Sequence, residues 1–196
     1  MLALHVITAS TRPNRQGPKV AKWFLDIAHR ENAGRFQIEP IDLAEVNLPL
    51  LDEPEHPRFR KYAHAHTKAW SATIARADAF VLVAGEYNFG MQPSLLNALD
   101  FLVWEWAYKP VAFVSYGGVS GGLRSVQMAK QTVTALRMMP IPEAVSIPMF
   151  SQYIDKETGA FKPPEMQEKA VGGLLGELFK WGTALQTIPR PPVGPA

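Results

Sequence analysis

The sequence contains no cysteine. Disulfides and thiolate chemistry are therefore excluded, and the composition suits a reducing compartment. It also lacks any run of about 18 apolar residues, the length that a membrane-spanning helix requires. It opens on the strand-like stretch LALHVIT, with no basic leader and no small-residue cleavage site. We expect no signal peptide, no membrane partner and a cytoplasmic location. Charge of one sign is not in excess: 20 Lys and Arg stand against 18 Asp and Glu, a formal net charge of +2. The basic residues are scattered, with Arg12, Arg15 and Lys19 near the start and Arg58, Arg60 and Lys61 further on. A nucleic-acid interface would need a denser stripe. Internal repeats and low-complexity segments are absent. So are GxGxxG and GxxxxGK[ST], which argues against a Rossmann dinucleotide site and a P-loop.

What is present is a chain of 196 residues, 47% of them hydrophobic, with Trp, Phe and Tyr all represented. That length suits one domain with ample apolar surface for a core. We expect the domain over 1–188. Residues 189–196 are too rich in proline for regular structure and are expected to be a mobile tail.

Apolar runs alternate with amphipathic stretches. Strands are expected at Leu2–Thr8, Phe36–Leu43, Ala79–Ala84, Val111–Ser115 and Ala144–Ile147. Helices are expected at Pro18–Arg30, Phe59–Arg76, Ser94–Val103, Ser120–Arg137 and Pro164–Gln186. Such alternation implies an α/β fold, a parallel sheet covered on both faces. Right-handed crossovers then leave the doubly wound forms. Periodicity does not choose between the dinucleotide-binding and flavodoxin-like strand orders; the loops beyond the strands' carboxyl ends carry that information.

The first of these loops is ASTRPNRQGPKVA, between a strand and a helix. A helix N-terminus offers free N–H groups and positive partial charge, which together hold a phosphate. Ser10 and Thr11 add hydroxyl donors, Arg12 and Arg15 add charged ones, and Gly17 permits close approach. The same residues also suit an ordinary polar loop capping a helix. The second loop, AGEYNFGMQPSLLNALDFL, turns at Gly85, Asn88 and Gly90. Tyr87 and Phe89 set two rings where a planar ligand could rest; a simple turn with packed aromatics fits too. The third, SYGGVSGGLRS, holds four glycines within six residues. This density suits backbone passing close to a ligand or a tight connection. The three loops fall after the first, third and fourth strands, and their agreement is worth more than any one alone.

These loops resemble those of the NADPH-dependent FMN reductase family, from Leu2 to about Met139. The first resembles the family's phosphate segment, in its S-T-R-P-x-R-x-G variant. The second resembles its P-E-Y-N segment and the following L-x-N-A-x-D helix. The third resembles S-x-G-G-x-x-G-G. The resemblance implies a flavodoxin-like three-layer sandwich with a five-stranded parallel sheet in the order 2-1-3-4-5. It implies non-covalent FMN and NADPH or NADH as co-substrate, with quinones, azo compounds or free flavin as the small-molecule electron acceptor. It also implies that Ser10, Arg12, Arg15, Gln16 and Gly17 hold the FMN phosphate. Glu86, Tyr87, Asn88 and Phe89 would line the isoalloxazine ring, with Ser115, Tyr116, Gly117 and Gly118 on its other side. Flavin carries the hard chemistry in such enzymes, so no catalytic side chain is named. Two departures stand out: Ala9 where the family often has Gly, and Gly85 where it often has Pro. The alternatives are a flavodoxin-type electron carrier, which the lack of an acidic face disfavours, and a flavin-free binding module.

Other residues have simpler expectations. His5 belongs to the first strand as a packed residue. His64 and His66, two apart on the expected helix, should not share a face, and a metal site lacks partners. Met138 and Met139 suit core packing, and His29 suits a helix C-terminus. Trp104, Trp106 and Tyr108 cannot easily all face one core. Two readings stay open: core packing, or an exposed aromatic patch covered in a homodimer or homotetramer.

Overall fold

The computed structural model describes residues 1–190. Residues 191–196, most of the tail expected to be mobile, lie outside the described residues. Arg190, the last of them, pairs with Asp78 at 2.9 Å.

Strands β1 (Leu2–Thr8), β2 (Phe36–Asp42), β3 (Ala79–Tyr87), β5 (Pro110–Tyr116) and β6 (Met139–Ile147) pair in parallel, in the order β2-β1-β3-β5-β6. Counting these five alone, the order is the expected 2-1-3-4-5. The short β4 (Gly90–Met91) was not anticipated and turns back antiparallel on the end of β3.

Helices α1 (Gly17–Glu31) and α6 (Glu165–Leu185) cover one face of the sheet. Helices α3 (Ala65–Ala75), α4 (Pro93–Asp100) and α5 (Leu123–Ala135) cover the other, and the four-residue α2 (Leu43–Val46) follows β2. The strands alternate between the two faces with the period of two that a pleated sheet imposes. Val81 and Val83 pack toward α1 and α6, whereas Phe80 and Leu82 pack toward α3 and α5. Both faces are apolar, which is why the strands read as continuous apolar runs.

The helix expected over Phe59–Arg76 is shorter. Pro57–Phe59 is a single 3-10 turn that ends on Arg60 in the left-handed region, φ 54°. The helix begins only at Ala65, because the Glu53 carboxylate captures the amides of Ala63 and His64. His64 thus lies outside the helix, and the expectation that it diverges from His66 fails. The two imidazoles stack at 5.1 Å and both face Asp52. Among the described residues, no three His, Cys, Asp or Glu group as metal ligands. None of the described helices is long and apolar enough to cross a membrane.

The aromatic patch is also corrected. Trp106 is 1% exposed, sits edge-on to Trp70 and donates to Leu99 O. Trp104 is half-buried; its indole donates to Arg58 O at 2.8 Å, and the Arg137 guanidinium lies 4.7 Å from its ring. Tyr108 turns in the left-handed region, φ 61°, and its hydroxyl accepts from Arg137. Trp106 thus turns into the core, while Trp104 and Tyr108, both half-buried, flank the Arg137 guanidinium, so the three do not form one exposed aromatic patch.

Candidate functional site

β1, β3 and β5 end side by side, and the loops beyond them enclose a cavity of about 270 Å³. Ser10, Arg12, Arg15 and Gln16 line it from the first loop, Gly85, Glu86 and Tyr87 from the second, and Tyr116, Gly117 and Gly118 from the third. Phe150, beyond β6, completes the wall. A depression of about 350 Å³ at Arg12, Glu86, Tyr87 and Asn88 widens the mouth. A second cleft of about 320 Å³ lies across Thr11, between α2 and α4. The first is the stronger candidate because buried polar groups without partners converge on it.

Helix α1 opens into the first loop without a side-chain cap and without an acidic residue in its first turn. Its amides therefore face the loop unopposed, which favours an anion. Ser10 is 1% exposed, and its hydroxyl has no partner of hydrogen-bonding geometry among the described residues. Arg12 is exposed at the mouth. Arg15 is committed elsewhere: its Nη1 donates to Asp42 at 2.6 Å and to the Ser10 carbonyl at 2.8 Å. The Asp42 hydrogen bond holds the guanidinium pKa above its ordinary value. Ala9, at the family's usual glycine position, is not at positive φ, so its methyl costs the loop nothing.

The second loop is a two-residue hairpin. Asn88 and Phe89 are both left-handed, φ 48° and 67°, between the paired Tyr87 and Gly90. This is the twist that tight hairpins favour, normally with glycine second. Glu86 anchors it: its carboxylate accepts from Ser120 Oγ, Arg124 N and Arg124 Nη1. Burial alone would raise the Glu86 pKa, but these donors outweigh it and hold the carboxyl below its usual range. The same Arg124 lies 4.1 Å over the Phe89 ring. Phe89 is 72% exposed at the hairpin tip and does not line the cavity.

Much of the third loop's glycine density serves its own turn. A Cβ on Gly121 would strike Ser146 Oγ and Pro148 N, and one on Gly122 would meet Tyr116 O at 2.9 Å. Both are at positive φ. The loop is pinned to the chain beyond β6, since Met149 N donates to Gly118 O and Phe150 N to Gly117 O. Ser115 is buried within β5 and does not reach the cavity.

The structure thus brings together nine of the thirteen expected residues as lining: Ser10, Arg12, Arg15, Gln16, Glu86, Tyr87, Tyr116, Gly117 and Gly118. Asn88 joins the adjoining depression. Gly17 lies buried beneath the first loop, while Phe89 and Ser115 stand apart. Sequence reading missed Phe150. Phe150 follows the last strand, whose carboxyl end faces the same side as the other three, and that rule would have found it.

Comparison with known proteins identifies the family. The profile of the NADPH-dependent FMN reductase family matches residues 2–152. An NAD(P)H-dependent FMN reductase from Schizosaccharomyces pombe is 39% identical over 146 residues, 73% of this chain and 72% of the relative. A second, from a Nectria species, is 34% identical over 152 residues, 76% of each chain. In overall fold, the flavoenzyme NAD(P)H:(acceptor) oxidoreductase FerB from Paracoccus denitrificans superposes with a TM-score of 0.71 at 20% identity, covering 94% of this chain and 98% of that one. The chain belongs to the NADPH-dependent FMN reductase family.

Proposed function

We propose that the cavity at the ends of β1, β3 and β5 binds FMN without a covalent bond, and that the protein uses NADPH or NADH to reduce a small-molecule acceptor. Quinones, azo compounds and free flavin are the acceptor classes. The observation that carries this reading is the buried, unpartnered Ser10 hydroxyl beside the uncapped start of α1. A phosphate oxygen would satisfy both at once. Arg12 adds the charged donor, while Arg15 braces the loop from below through Asp42. Tyr87, Gly117 and Gly118 bound the space a flat ring system would fill. Bound FMN supplies the two-electron chemistry, which no side chain in the cavity offers. The protein's share is to fix the ring's edge through the hairpin held by Glu86, and to shield it with Tyr116 and Phe150.

Relatives include an NADPH:quinone oxidoreductase of Arabidopsis thaliana, 30% identical over 154 residues, which supports a quinone among the acceptors. We place the protein in the cytoplasm, with residues 1–188 as one folding unit. We also propose that it associates as a homodimer or homotetramer. Support comes from the exposed apolar side chains Phe89, Val119 and Leu123 near the mouth and Leu50 beyond α2, since such groups mark association surfaces. Light scattering at micromolar concentration should give at least twice the chain mass; a monomer would remove the association.

Steady-state oxidation of NADPH and NADH by FMN-loaded protein, with a quinone or an azo dye, tests the activity. Turnover that requires both FMN and acceptor is expected. FMN binding without nicotinamide oxidation would leave an electron carrier instead.

A further inference from the structure

Three buried polar side chains stand in a row between the second loop and the first. The row starts at the Gly85 amide, which donates to Gln92 Oε1 at 2.9 Å. Gln92 is fully buried, yet its Nε2 has no hydrogen-bonding partner among the described residues. The buried Ser10 hydroxyl has none either. Beside Ser10 lies the phenol of Tyr116, since its hydroxyl and Ser10 Oγ both border the space next to Gly17, and Ser10 and Gln92 both bear on its acidity.

The phenol is held there by shape. Its ring packs edge-on against Phe150 at 5.1 Å. On the first loop, a Cβ at Gly17 would come within 2.9 Å of the Tyr116 hydroxyl and still closer to Ser10 Oγ. On the second, a Cβ at Gly85 would meet the phenol ring at 3.1 Å. The two glycines leave the space that Tyr116 occupies. This accounts for Gly85 at a position where the family often carries proline, whose ring would enter the same space.

Two unsatisfied polar atoms flanking one phenol call for an explanation, because buried polar groups are nearly always paired. A phenol has one proton to give and lone pairs with which to accept. Gln92 Nε2 has protons to give and no acceptor. Ser10 can both accept and donate. In either arrangement Gln92 donates to Tyr116; because Ser10, beside the uncapped start of α1, is the hydroxyl placed to give its proton to a phosphate, Tyr116 is assigned as the donor to Ser10. The Ser10 proton then remains for an acceptor in the cavity.

Resting on the FMN reading above, we propose that Tyr116 is a positioning residue that aims the Ser10 proton at the ligand phosphate. Through Gln92 it also ties the loop that carries the ring to the loop that carries the phosphate. Burial raises the phenol pKa, so the donor stays protonated at neutral pH.

Tyr116→Phe removes the hydroxyl and keeps the ring and its contact with Phe150. FMN and riboflavin affinities, read by quenching of flavin fluorescence, should be compared in the unaltered protein, Tyr116→Phe, Ser10→Ala and the double variant. Tyr116→Phe should weaken FMN roughly three- to tenfold, as for one lost hydrogen bond, and leave riboflavin unchanged. The double variant should bind FMN no more weakly than Ser10→Ala, because Tyr116 acts through Ser10. The melting temperature of each ligand-free variant separates this effect from unfolding. Gly85→Ala, which keeps the hydroxyl but displaces the phenol, should reproduce a smaller loss for FMN. An unchanged FMN-to-riboflavin ratio in Tyr116→Phe, or additive losses in the double variant, would overturn the proposal while leaving the FMN site standing. Failure of the unaltered protein to bind FMN would overturn the FMN reading and this inference with it.

Discussion

The two ends of the sheet differ in what their buried polar groups face: at one end other protein groups, at the other a cavity. At the amino end, Lys109 is buried but donates to the carbonyls of Ile74 and Ala75, closing the end of α3. Glu105 is buried and accepts from Tyr62 and Ser71, while Asp78 accepts from the Ala3 amide and from Arg190. At the carboxyl end, Ser10 and Gln92 are as deeply buried, with the Tyr116 phenol as their neighbour, and Ser10 borders the cavity. Leaving a polar group unpaired costs stability. Buried atoms without partners also occur away from the carboxyl end, Glu105 Oε2 among them; what sets Ser10 apart is that it lines a cavity beside the start of α1, where a ligand can reach it. The amino end should therefore answer to measurements of folding, and the carboxyl end to measurements of binding.

The largest effect expected is structural. Trp106→Ala would empty a site packed by Trp70 and Phe80 and should cost about 3–5 kcal/mol of stability. Flavin affinity of the fraction that remains folded should not change. Urea denaturation and flavin titration read the two separately, and a loss of affinity in folded protein would blur the contrast between the ends.

Arg12→Ala should do the reverse. We expect FMN binding to weaken by about 1.5–3 kcal/mol, riboflavin far less, and the urea midpoint to stay in place. Equal weakening of both ligands would show that Arg12 does not touch phosphate.

A third effect depends on pH. Burial is the main cause that lowers the Lys109 pKa, to about 7 from its ordinary 10.5. Between those values the unfolded chain binds more protons than the folded one, so stability should rise as pH climbs from about 7 toward 10. The slope cannot exceed about 1.4 kcal/mol per pH unit for one group. Lys109→Met should flatten it. Parallel stability curves for the two proteins would contradict the buried-lysine assignment. Above pH 10 burial of Tyr62, which raises its pKa, should turn the slope downward.

The smallest effect sits at the hairpin tip. Phe89→Gly would relieve a left-handed residue, worth about 1–2 kcal/mol, and lose the Arg124 contact, worth about 0.5–1 kcal/mol at an exposed site. The two nearly cancel, so stability should change by less than about 1.5 kcal/mol. A larger loss by thermal melting would mean that Phe89 supports more than its own turn.

How much of this was legible in the sequence follows from where periodicity holds. Ala79–Ala84 and Val111–Ser115 read as buried strands because both faces of the sheet are covered, and the structure extends each by a few residues. β4 gave no signal: it is two residues long, and its turn uses Asn-Phe where the recognisable pair is Asn-Gly. The shortened α3 was hidden because its start is set by Glu53, ten residues and more away along the chain. In the site, Ser10 and Arg12 could be named from local composition beside a helix start. That Arg15 faces Asp42, and that Trp106 turns inward, are tertiary facts with no local signature.

One measurement bears most directly on the contrast between the two ends. The protein is mixed with excess FMN, desalted, and its visible spectrum recorded against its concentration. The account predicts a yellow protein carrying one FMN per chain. A colourless protein, with no measurable affinity for FMN, would contradict it.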